Sequence, residues 1–440
     1  MTTDSQGWAG HPKGLSTLFF TEMWERFSYY GMRALLILYM TAPVAAGGLA
    51  METSRAAAIY GWYTFGVYAA CIPGGFIADR LIGQYRSVLV GGIIIALGHF
   101  SLAMSPMPFF YLGLSLIVIG TGLLKPNIST MVGSLYDEKD ARRDAGFSIF
   151  YMGINIGAGV APLVTGALAQ GITGQGGNWH WGFAAAGVGM TLGLIQYVIG
   201  KPRLASAMDR LGVAPAARKA GIAPQPFTAA EWKRVAAIGV FFIAAILFWG
   251  AFEQAGSSLN LFADRMTRLE AFGRPFPSAW FQAINSAFLI ALAPVFALVW
   301  VRLGSREPSS PAKFTFGLLF VGLGFLLLVP AATASQRGVL VSPMWLVGVY
   351  FLHTIGELCL SPVGLSVVTK LAPARIVGLM MGVWFLATAF GNKVGGWVAG
   401  FFDSFPLPSL FGAVAGTTIG AAVVLALLIK PVRKLMGGVH

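Results

Sequence analysis

The residues best able to do chemistry lie inside an apolar run that extends from about Leu15 to Met40. A stripe of ionisable side chains follows this run: Glu22, Arg26, Tyr29 and Arg33. Their spacing of four, three and four residues places them on one face of a helix. Because a charge at the bilayer centre costs at least roughly 2.5–3.5 kcal/mol, such a stripe is expected to face a partner or a water-filled cavity. The stripe is therefore a candidate functional site.

Further charges lie deep in other apolar runs: Lys125 in the fourth, Glu253 in the seventh, Glu357 in the tenth and Lys393 in the eleventh. Cationic groups of the first half of the chain could pair with carboxylates of the second half across a central cavity. Protonation of a carboxylate would release its partner. Carboxylates in a low-dielectric site can take up a proton near neutral pH, a property that a proton-driven transporter needs.

Structural explanations remain open for several of these polar groups. Buried ion pairs can be purely architectural. Lys393 could extend its ammonium group towards the outer membrane interface. His99 and His353 are single histidines in apolar runs, where core packing or helix–helix hydrogen bonding is favoured over a proton relay. Asn155 and Asn285 could likewise make interhelical hydrogen bonds.

The composition indicates a polytopic membrane protein. Of 440 residues, 56% are hydrophobic and only 11% are charged, whereas soluble domains carry about 25% charged residues. Basic loops explain the net charge of +13 better than binding to nucleic acid does. The sequence shows no metal-ligand cluster, no nucleotide-binding loop and no nucleophile with a base. A membrane enzyme or a receptor is therefore the weaker alternative.

About twelve apolar runs are near the roughly 20 residues that cross a bilayer. They lie at approximately 15–40, 55–78, 86–104, 108–132, 145–169, 181–199, 236–262, 279–302, 313–332, 344–370, 376–400 and 409–430. The basic, proline-containing segment 201–234 interrupts the pattern. We expect an N-terminal six-helix bundle at 1–200, a cytoplasmic linker at 201–234 and a C-terminal six-helix bundle at 235–440, the arrangement of a transporter built from two related bundles.

The positions of Lys and Arg predict the orientation in the membrane. If the N-terminus is cytoplasmic, most basic residues fall on the cytoplasmic side, including those of the linker. The opposite side then holds few: Arg55, Arg265, Arg268, Arg274 and Arg337. This asymmetry predicts cytoplasmic termini and a cytoplasmic linker.

Several motifs resemble those of known families. The loop from Gly74 to Arg86 resembles the cytoplasmic loop motif of the major facilitator superfamily. Glu22-x-x-Glu25-Arg26-Phe27-x-Tyr29-Tyr30 resembles the first-helix signature of the proton-dependent oligopeptide transporter family. Other segments match that family in type and order: Gly74–Gly83, Lys125–Asn127, Phe147–Gly159, Phe248–Gln254 and Gly356–Pro362. The matches occur in both halves of the chain.

The resemblance implies an all-α membrane protein of the major facilitator fold, with twelve transmembrane helices in two six-helix bundles. It also implies a role for each matching residue. Proton coupling would involve Glu22, Glu25, Arg26 and Glu253. Arg33 with Glu253 would form the outer gate, and Lys125 with Glu357 the inner gate. Peptide-binding residues would be Tyr29, Tyr30, Arg33, Tyr68, Lys125, Asn155, Asn285, Glu357, Ser361 and Trp384, with Arg33 and Lys125 at the peptide carboxylate and Glu357 and Asn285 at its amino group.

The implied function is proton-coupled import of di- and tripeptides by alternating access. The expected partners are peptides, protons and membrane lipid, with no cofactor, no metal and no nucleic acid. A functional monomer in a bacterial inner membrane is also expected. The alternative is a major facilitator transporter of another amphoteric or anionic small molecule. One departure is the short, polar segment 201–234, because bacterial members usually carry two extra helices there.

Overall fold

The computed structural model describes residues 7–137, 140, 142–173, 176–213, 227–373 and 376–437, and it is almost entirely helical. In the first half of the chain the helices are α1 (Gly14–Thr41), α2 (Thr53–Ala69), α3 (Cys71–Ile77), α4 (Gln84–Leu102), α5 (Met107–Ser134), α6 (Arg143–Gln170), α7 (Trp179–Ile199) and α8 (Ala205–Val213). In the second half they are α9 (Ala229–Phe252), α10 (Ser258–Met266), α11 (Gln282–Leu303), α12 (Ser310–Ser335), α13 (Met344–Leu371), α14 (Val377–Ala399) and α15 (Leu407–Met436). A two-stranded antiparallel hairpin, β1 (Glu270–Ala271) and β2 (Arg274–Pro275), follows α10.

Ten helical segments within the described residues are long and apolar enough to cross a membrane. They are Thr53–Ile82, Gln84–Leu102, Met107–Ser134, Arg143–Gln170, Trp179–Ile199, Ala229–Met266, Ser278–Leu303, Ser310–Ser335, Met344–Leu371 and Leu407–Met436. Two further long helices, α1 and α14, coincide with the other two predicted runs. The all-α membrane architecture is confirmed, and the number of twelve spans stays a prediction.

The chain divides into two compact units. Unit 1 comprises 1–36 and 66–223, and unit 2 comprises 37–65 and 224–440. In unit 1, α4 packs along α5 and α7, and side chains of several helices form a buried core: Leu18, Val88, Ile128, Met190 and Ala207. In unit 2, α12 packs against α13 and α15, where Phe325 and Phe411 lie with ring centroids 6.0 Å apart.

Pro126 removes one regular hydrogen bond from the middle of α5. Pro126 lies inside the helix and has no N–H to donate to the carbonyl of Gly122, four residues earlier. The oxygen of Gly122 faces α3, because a Cβ at Gly74 would overlap it. The close approach of α3 and α5 therefore needs glycine at both positions. Between α3 and α4, Gly83 has φ +78°, which permits the bend into α4.

The predicted seventh apolar run is two helices. Helix α9 ends at Phe252, a 3₁₀ turn extends from Glu253 to Gly256, and α10 begins at Ser258. Glu253 is thus at a helix terminus rather than in a helix interior.

The first turn of α9 is also earlier than predicted, at Ala229, because Thr228 and Glu231 form a capping box. Thr228 N–H donates to Glu231 Oε2 at 2.8 Å, and Glu231 N–H donates to Thr228 Oγ1 at 3.2 Å.

The segment before α1 is attached to the connection between α5 and α6. His11 Nδ1 lies 2.8 Å from the Tyr136 hydroxyl, and Arg142 donates to the Gly10 carbonyl at 2.7 Å. Arg142 also pairs with Asp140 at 2.7 Å, and these hydrogen bonds lower the pKa of Asp140 to about 2. Arg142 thus links the connection between α5 and α6 to the segment before α1.

Some basic residues used to predict the orientation lie outside the described residues. They are the linker residues at 218 and 219 and the residues at 139 and 375.

Candidate functional site

One arginine connects two carboxylates on α1. Arg26 Nε lies 3.1 Å from Glu22 Oε1 and also contacts Glu25 Oε2. All three side chains are buried, at 3% exposure or less. Glu22 precedes Arg26 by one helical turn, so the helix itself brings the pair together. Within the described part of the chain, Glu22 Oε2, Glu25 Oε1 and Arg26 Nη2 have no hydrogen-bond partner. The network therefore retains buried polar atoms that could bind a proton, water or substrate.

The next turns of α1 place the rings of Tyr29 and Tyr30 beside Arg26 and Arg33. The guanidinium carbon of Arg26 lies 5.4 Å from the ring centroid of Tyr29, and that of Arg33 lies 5.7 Å from Tyr30. The two tyrosine rings are edge-to-face, with centroids 5.2 Å apart. Such cation–π contacts favour the charged arginines in a site with little water. Arg33, like Arg26, is buried.

Lys125 of α5 joins the same electrostatic network. Its Nζ lies 3.7 Å from the ring centroid of Tyr68 on α2. The ammonium group interacts with Arg26, Glu22 and Glu25. Two cations thus face two carboxylates inside unit 1, and a change in the charge of one carboxylate alters the field at Lys125. The structure brings together Glu22, Glu25, Arg26, Tyr68 and Lys125 inside unit 1.

Helix α6 adds an amide and a close helix contact. Asn155 is buried, and its Nδ2 donates to the Tyr151 carbonyl on the same helix at 3.0 Å. Two residues later, a Cβ at Gly157 would overlap the carbonyl oxygen of Met23 on α1. Glycine therefore lets α6 pack directly against the turn that carries Glu22 and Arg26.

Unit 2 holds a carboxylate that is fixed by neighbouring polar groups. Asn285 of α11 donates through Nδ2 to Glu357 Oε2 at 3.1 Å and to Thr354 Oγ1 at 3.0 Å. Thr354 in turn donates to the Tyr350 carbonyl at 2.7 Å. Nearby, Gln282 Nε2 donates to the Tyr350 hydroxyl at 3.2 Å. This arrangement holds the Glu357 carboxylate as an acceptor for a further donor, such as an ammonium group.

The other predicted residues of unit 2 occupy distinct environments. Glu253 is buried and interacts electrostatically with Glu357. Trp384 is 6% exposed, its ring centroid lies 6.1 Å from that of Phe314, and it occupies the space beside Gly364. The Trp384 ring is thus packed against α12 and α13 in unit 2. The buried Ser361 hydroxyl has no hydrogen-bond partner among the described residues.

Thr354, Tyr350 and Gln282 belong to the Glu357 network but are absent from the sequence-based set. Thr354 precedes Glu357 by three residues, so helical spacing could have identified it. Tyr350 and Gln282 have no such signal, since their contacts depend on the packing of α11 against α13. Each predicted gate pair, Arg33 with Glu253 and Lys125 with Glu357, takes one residue from each unit and stays a prediction.

The remaining polar groups of the apolar segments pack against aromatic rings or the core. Lys393 Nζ lies 3.7 Å from the Trp62 ring centroid. The His353 ring centroid lies 5.1 Å from that of Phe325. His99 is fully buried, and its ring nitrogens have no hydrogen-bond partner in the residues that the structure describes. The described residues contain no group of three or more His, Cys, Asp or Glu side chains that could hold a metal ion.

Comparison with known proteins shows what the whole chain is similar to. The sequence profile of the POT family matches residues 85–208 and 228–414. Peptide transporter YePEPT of Yersinia enterocolitica subsp. palearctica is 40% identical, covering 97% of this chain and 96% of the relative. The di-/tripeptide transporter of Lactococcus lactis subsp. cremoris is 35% identical, with 98% of both chains covered. The alignment with YePEPT spans 493 positions against 440 residues here, so that relative carries segments that this chain lacks.

Solved structures give the same result. A crystal structure of peptide transporter POT in complex with sulfate has a TM-score of 0.89 at 40% identity, covering 98% of this chain and 97% of that chain. A POT family transporter in complex with 5-aminolevulinic acid has a TM-score of 0.87 at 32% identity, covering 97% and 98%.

Charged side chains held within apolar, membrane-length helices define a multi-pass membrane transporter of the major facilitator fold. The chain belongs to the POT family, and the family resemblance of the sequence is confirmed.

Proposed function

We propose that this chain is a proton-coupled symporter that imports di- and tripeptides by alternating access. The observation that carries the proposal is the 40% identity to a peptide transporter over 97% of the chain. The geometry agrees with it, because unit 1 contains the buried cations Arg26 and Arg33 and unit 2 contains the hydrogen-bonded carboxylate of Glu357. A peptide zwitterion carries one charge of each sign, whatever its side chains.

In the proposed cycle, the network on α1 takes up the proton. Arg26 holds Glu22 and Glu25 together, and protonation of either carboxylate would weaken its ion pair. The positive charge of Arg26 would then be less neutralised. Lys125 responds to this change because it interacts with the same groups. The proton would thereby alter the affinity of unit 1 for the peptide carboxylate.

The peptide-binding roles follow from charge. Arg33 and Lys125 would bind the peptide carboxylate, and Glu357 with Asn285 would bind the amino group. Polar and aromatic side chains would contact the backbone and the side chains: Tyr29, Tyr30, Tyr68, Asn155, Ser361 and Trp384. Arg33 with Glu253 and Lys125 with Glu357 would pair alternately as the outer and inner gates. Glu253 would also take part in proton coupling.

The remaining features of the proposal concern the whole protein. It places the chain in a bacterial inner membrane as a monomer surrounded by lipid, with both termini and the segment 201–234 in the cytoplasm. Transport would need protons and no organic cofactor. The protein would catalyse no covalent reaction, and translocation of peptide and proton would be its entire activity.

A second substrate class has one specific observation in its favour. A relative with 32% identity has been solved with 5-aminolevulinic acid, an amphoteric molecule that is not a peptide. Its amino and carboxylate groups would suit the same pair of charged sites. The alternative is therefore a transporter of small amphoteric acids.

Uptake into proteoliposomes distinguishes the two substrates. Labelled dialanine is offered under an inward proton gradient, with unlabelled trialanine, 5-aminolevulinic acid or glycine as competitor. We expect dialanine to accumulate and trialanine to compete strongly. Absence of dialanine uptake by protein that still takes up 5-aminolevulinic acid would favour the alternative. Hydrolysis of dialanine by the purified protein would contradict the assignment as a transporter without enzymatic activity.

A further inference from the structure

A cavity of about 610 Å³ lies on unit 2, between α9, α14 and α15. We name it the α9/α14/α15 groove. Its volume is within the roughly 300–1,000 Å³ of ligand pockets. Its floor lies where α9 and α14 approach closely, because a Cβ at Gly395 would lie 2.9 Å from the Gly250 carbonyl oxygen. Its rim is exposed, with 65% of Trp397 and 54% of Phe405 accessible.

The groove surface suits an apolar occupant, because several of its polar side chains are already paired. Gln254 donates to the Gly250 carbonyl at 3.3 Å and accepts from Ser258 at 2.7 Å. The hydroxyls of Thr417 and Thr418 each donate at 2.8 Å to a carbonyl of their own helix. A polar ligand would find few free partners here, whereas a hydrocarbon chain needs none.

One end of the groove has the character of a membrane–water interface. Trp397, Phe401 and Phe405 form an edge-to-face series, with ring centroids 5.1 and 5.3 Å apart. Tryptophan is one of the two side chains that are enriched at membrane–water interfaces. Asp403 lies on the same turn and pairs with Arg265 at 3.0 Å. Its carboxylate is 57% exposed, so it can accept a further donor.

We propose that a bilayer phospholipid with a primary ammonium headgroup, such as phosphatidylethanolamine, binds the α9/α14/α15 groove. One acyl chain occupies the groove, and the headgroup lies at the Arg265–Asp403 pair. The ammonium donates to Asp403 while the phosphate faces Arg265, so a dipolar headgroup matches a dipolar ion pair. A quaternary ammonium has no N–H and cannot make the bond to Asp403. The site is separate from the proposed peptide-binding residues, none of which lines it.

The acyl chain is tested by photo-crosslinking in proteoliposomes. Phosphatidylethanolamine with a photoreactive group near the end of one chain is reconstituted with the full protein, and the labelled peptides are mapped. We expect labelling to concentrate on residues 247–254 and 394–418. Even labelling of all exposed apolar surfaces, including Leu298 and Val301 of α11, would overturn the proposal. Because this measurement uses the unaltered protein, it does not depend on the folding of a variant.

A matched pair of variants tests entry into the groove. Ala413 is exposed and lines the groove, so Ala413→Trp should fill it and remove most of the labelling. Val424 is 56% exposed on the same helix but does not line the groove, so Val424→Trp should leave the labelling unchanged. Equal labelling of the two variants would contradict occupation of the groove.

The headgroup is tested by native mass spectrometry of the protein in detergent. The protein is titrated with phosphatidylethanolamine or phosphatidylcholine of identical chains. Wild type should retain more of the former, and Asp403→Asn should retain the two equally. A preference that persists in Asp403→Asn would overturn the headgroup assignment. Dialanine uptake reports the proposed transport function separately, so failure of lipid binding does not imply failure of transport.

Discussion

At the level of residues, the three charged side chains Glu22, Glu25 and Arg26 on α1 form one ion-pair network. Arg26 pairs with Glu22 and with Glu25, and all three are buried. Removal of a partner from a buried ion pair leaves an uncompensated charge, which is far more costly than the same change at the surface. Arg26 retains one carboxylate when the other is neutralised. Neutralisation of Glu22 therefore tests proton coupling without leaving Arg26 unpaired.

We predict that Glu22→Gln abolishes uptake driven by a proton gradient but preserves exchange of peptide for peptide. The amide cannot release or bind the coupling proton, while its shape is nearly unchanged. Both rates are measured in the same proteoliposomes, with and without the gradient. Glu307→Gln is the control, because Glu307 pairs with Lys313 in an exposed position and should leave both rates at wild-type level. Gradient-driven uptake by Glu22→Gln at the wild-type rate would refute the role of Glu22.

We predict that Lys125→Ala loses both driven uptake and exchange. The substitution removes the ammonium that contacts Tyr68 and interacts with the α1 network. It would also remove the proposed anchor for the peptide carboxylate. Lys13→Ala, at an exposed position before α1, serves as the control and should transport normally. Exchange by Lys125→Ala at the wild-type rate would argue against this residue as part of the binding site.

At the level of helices, close backbone contacts hold the charged face of α1 in place. Gly157 of α6 lies against the Met23 carbonyl, in the turn that contains Glu22 and Glu25. A larger residue here would have to push α6 away from α1. The charged network is thus coupled to helix packing, and not only to the side chains that compose it.

We predict that Gly157→Ala lowers the thermal stability of the purified protein, because the added methyl group would overlap the Met23 carbonyl. Overpacking of this kind typically costs about 1–3 kcal/mol. Gly416→Ala on α15 is the matched control, since a Cβ there would meet no atom within 4 Å. The measurement is the midpoint of thermal unfolding in detergent for both variants. Equal midpoints would show that α6 can move without cost.

Helical spacing explains what the sequence could predict. The pairing of Glu22 with Arg26 follows from their separation of four residues, and the apolar runs follow from length and composition. The bond from Asn285 to Glu357 joins two helices that are 72 residues apart, so spacing alone could not reveal its donor or its geometry. The family resemblance placed both residues at the amino group of the peptide, and it predicted no bond between them.

The break at Glu253 coincides with the polar, glycine-containing stretch 253–258, which the sequence interpretation counted within the apolar run 236–262. The end of α9 depends on the local backbone: the 3₁₀ turn leads to Ser257, whose φ of −128° and ψ of −95° are not helical. By contrast, the early start of α9 has a readable signal in the capping box of Thr228 and Glu231. The capping box lies inside the basic segment 201–234, which the sequence interpretation assigned to the linker.

At the level of the whole molecule, the proposed transport couples proton binding to peptide binding in one chain. Buried carboxylates on α1 could bind the proton, and the carboxylate on α13 could bind the ammonium group of a peptide. In the proposed function, which rests on similarity to peptide transporters over 97–98% of the chain, these two sets of groups act in the same transport cycle. The central claim is that the two ligands cross the membrane together.

The most direct test is to measure proton entry that is caused by peptide. Proteoliposomes with a trapped pH-sensitive dye are prepared without a pH gradient, with a membrane potential that is negative inside. Addition of external dialanine is predicted to acidify the lumen as peptide enters, and no acidification should follow in Glu22→Gln. Entry of dialanine without acidification of the lumen by the wild-type protein would contradict the account.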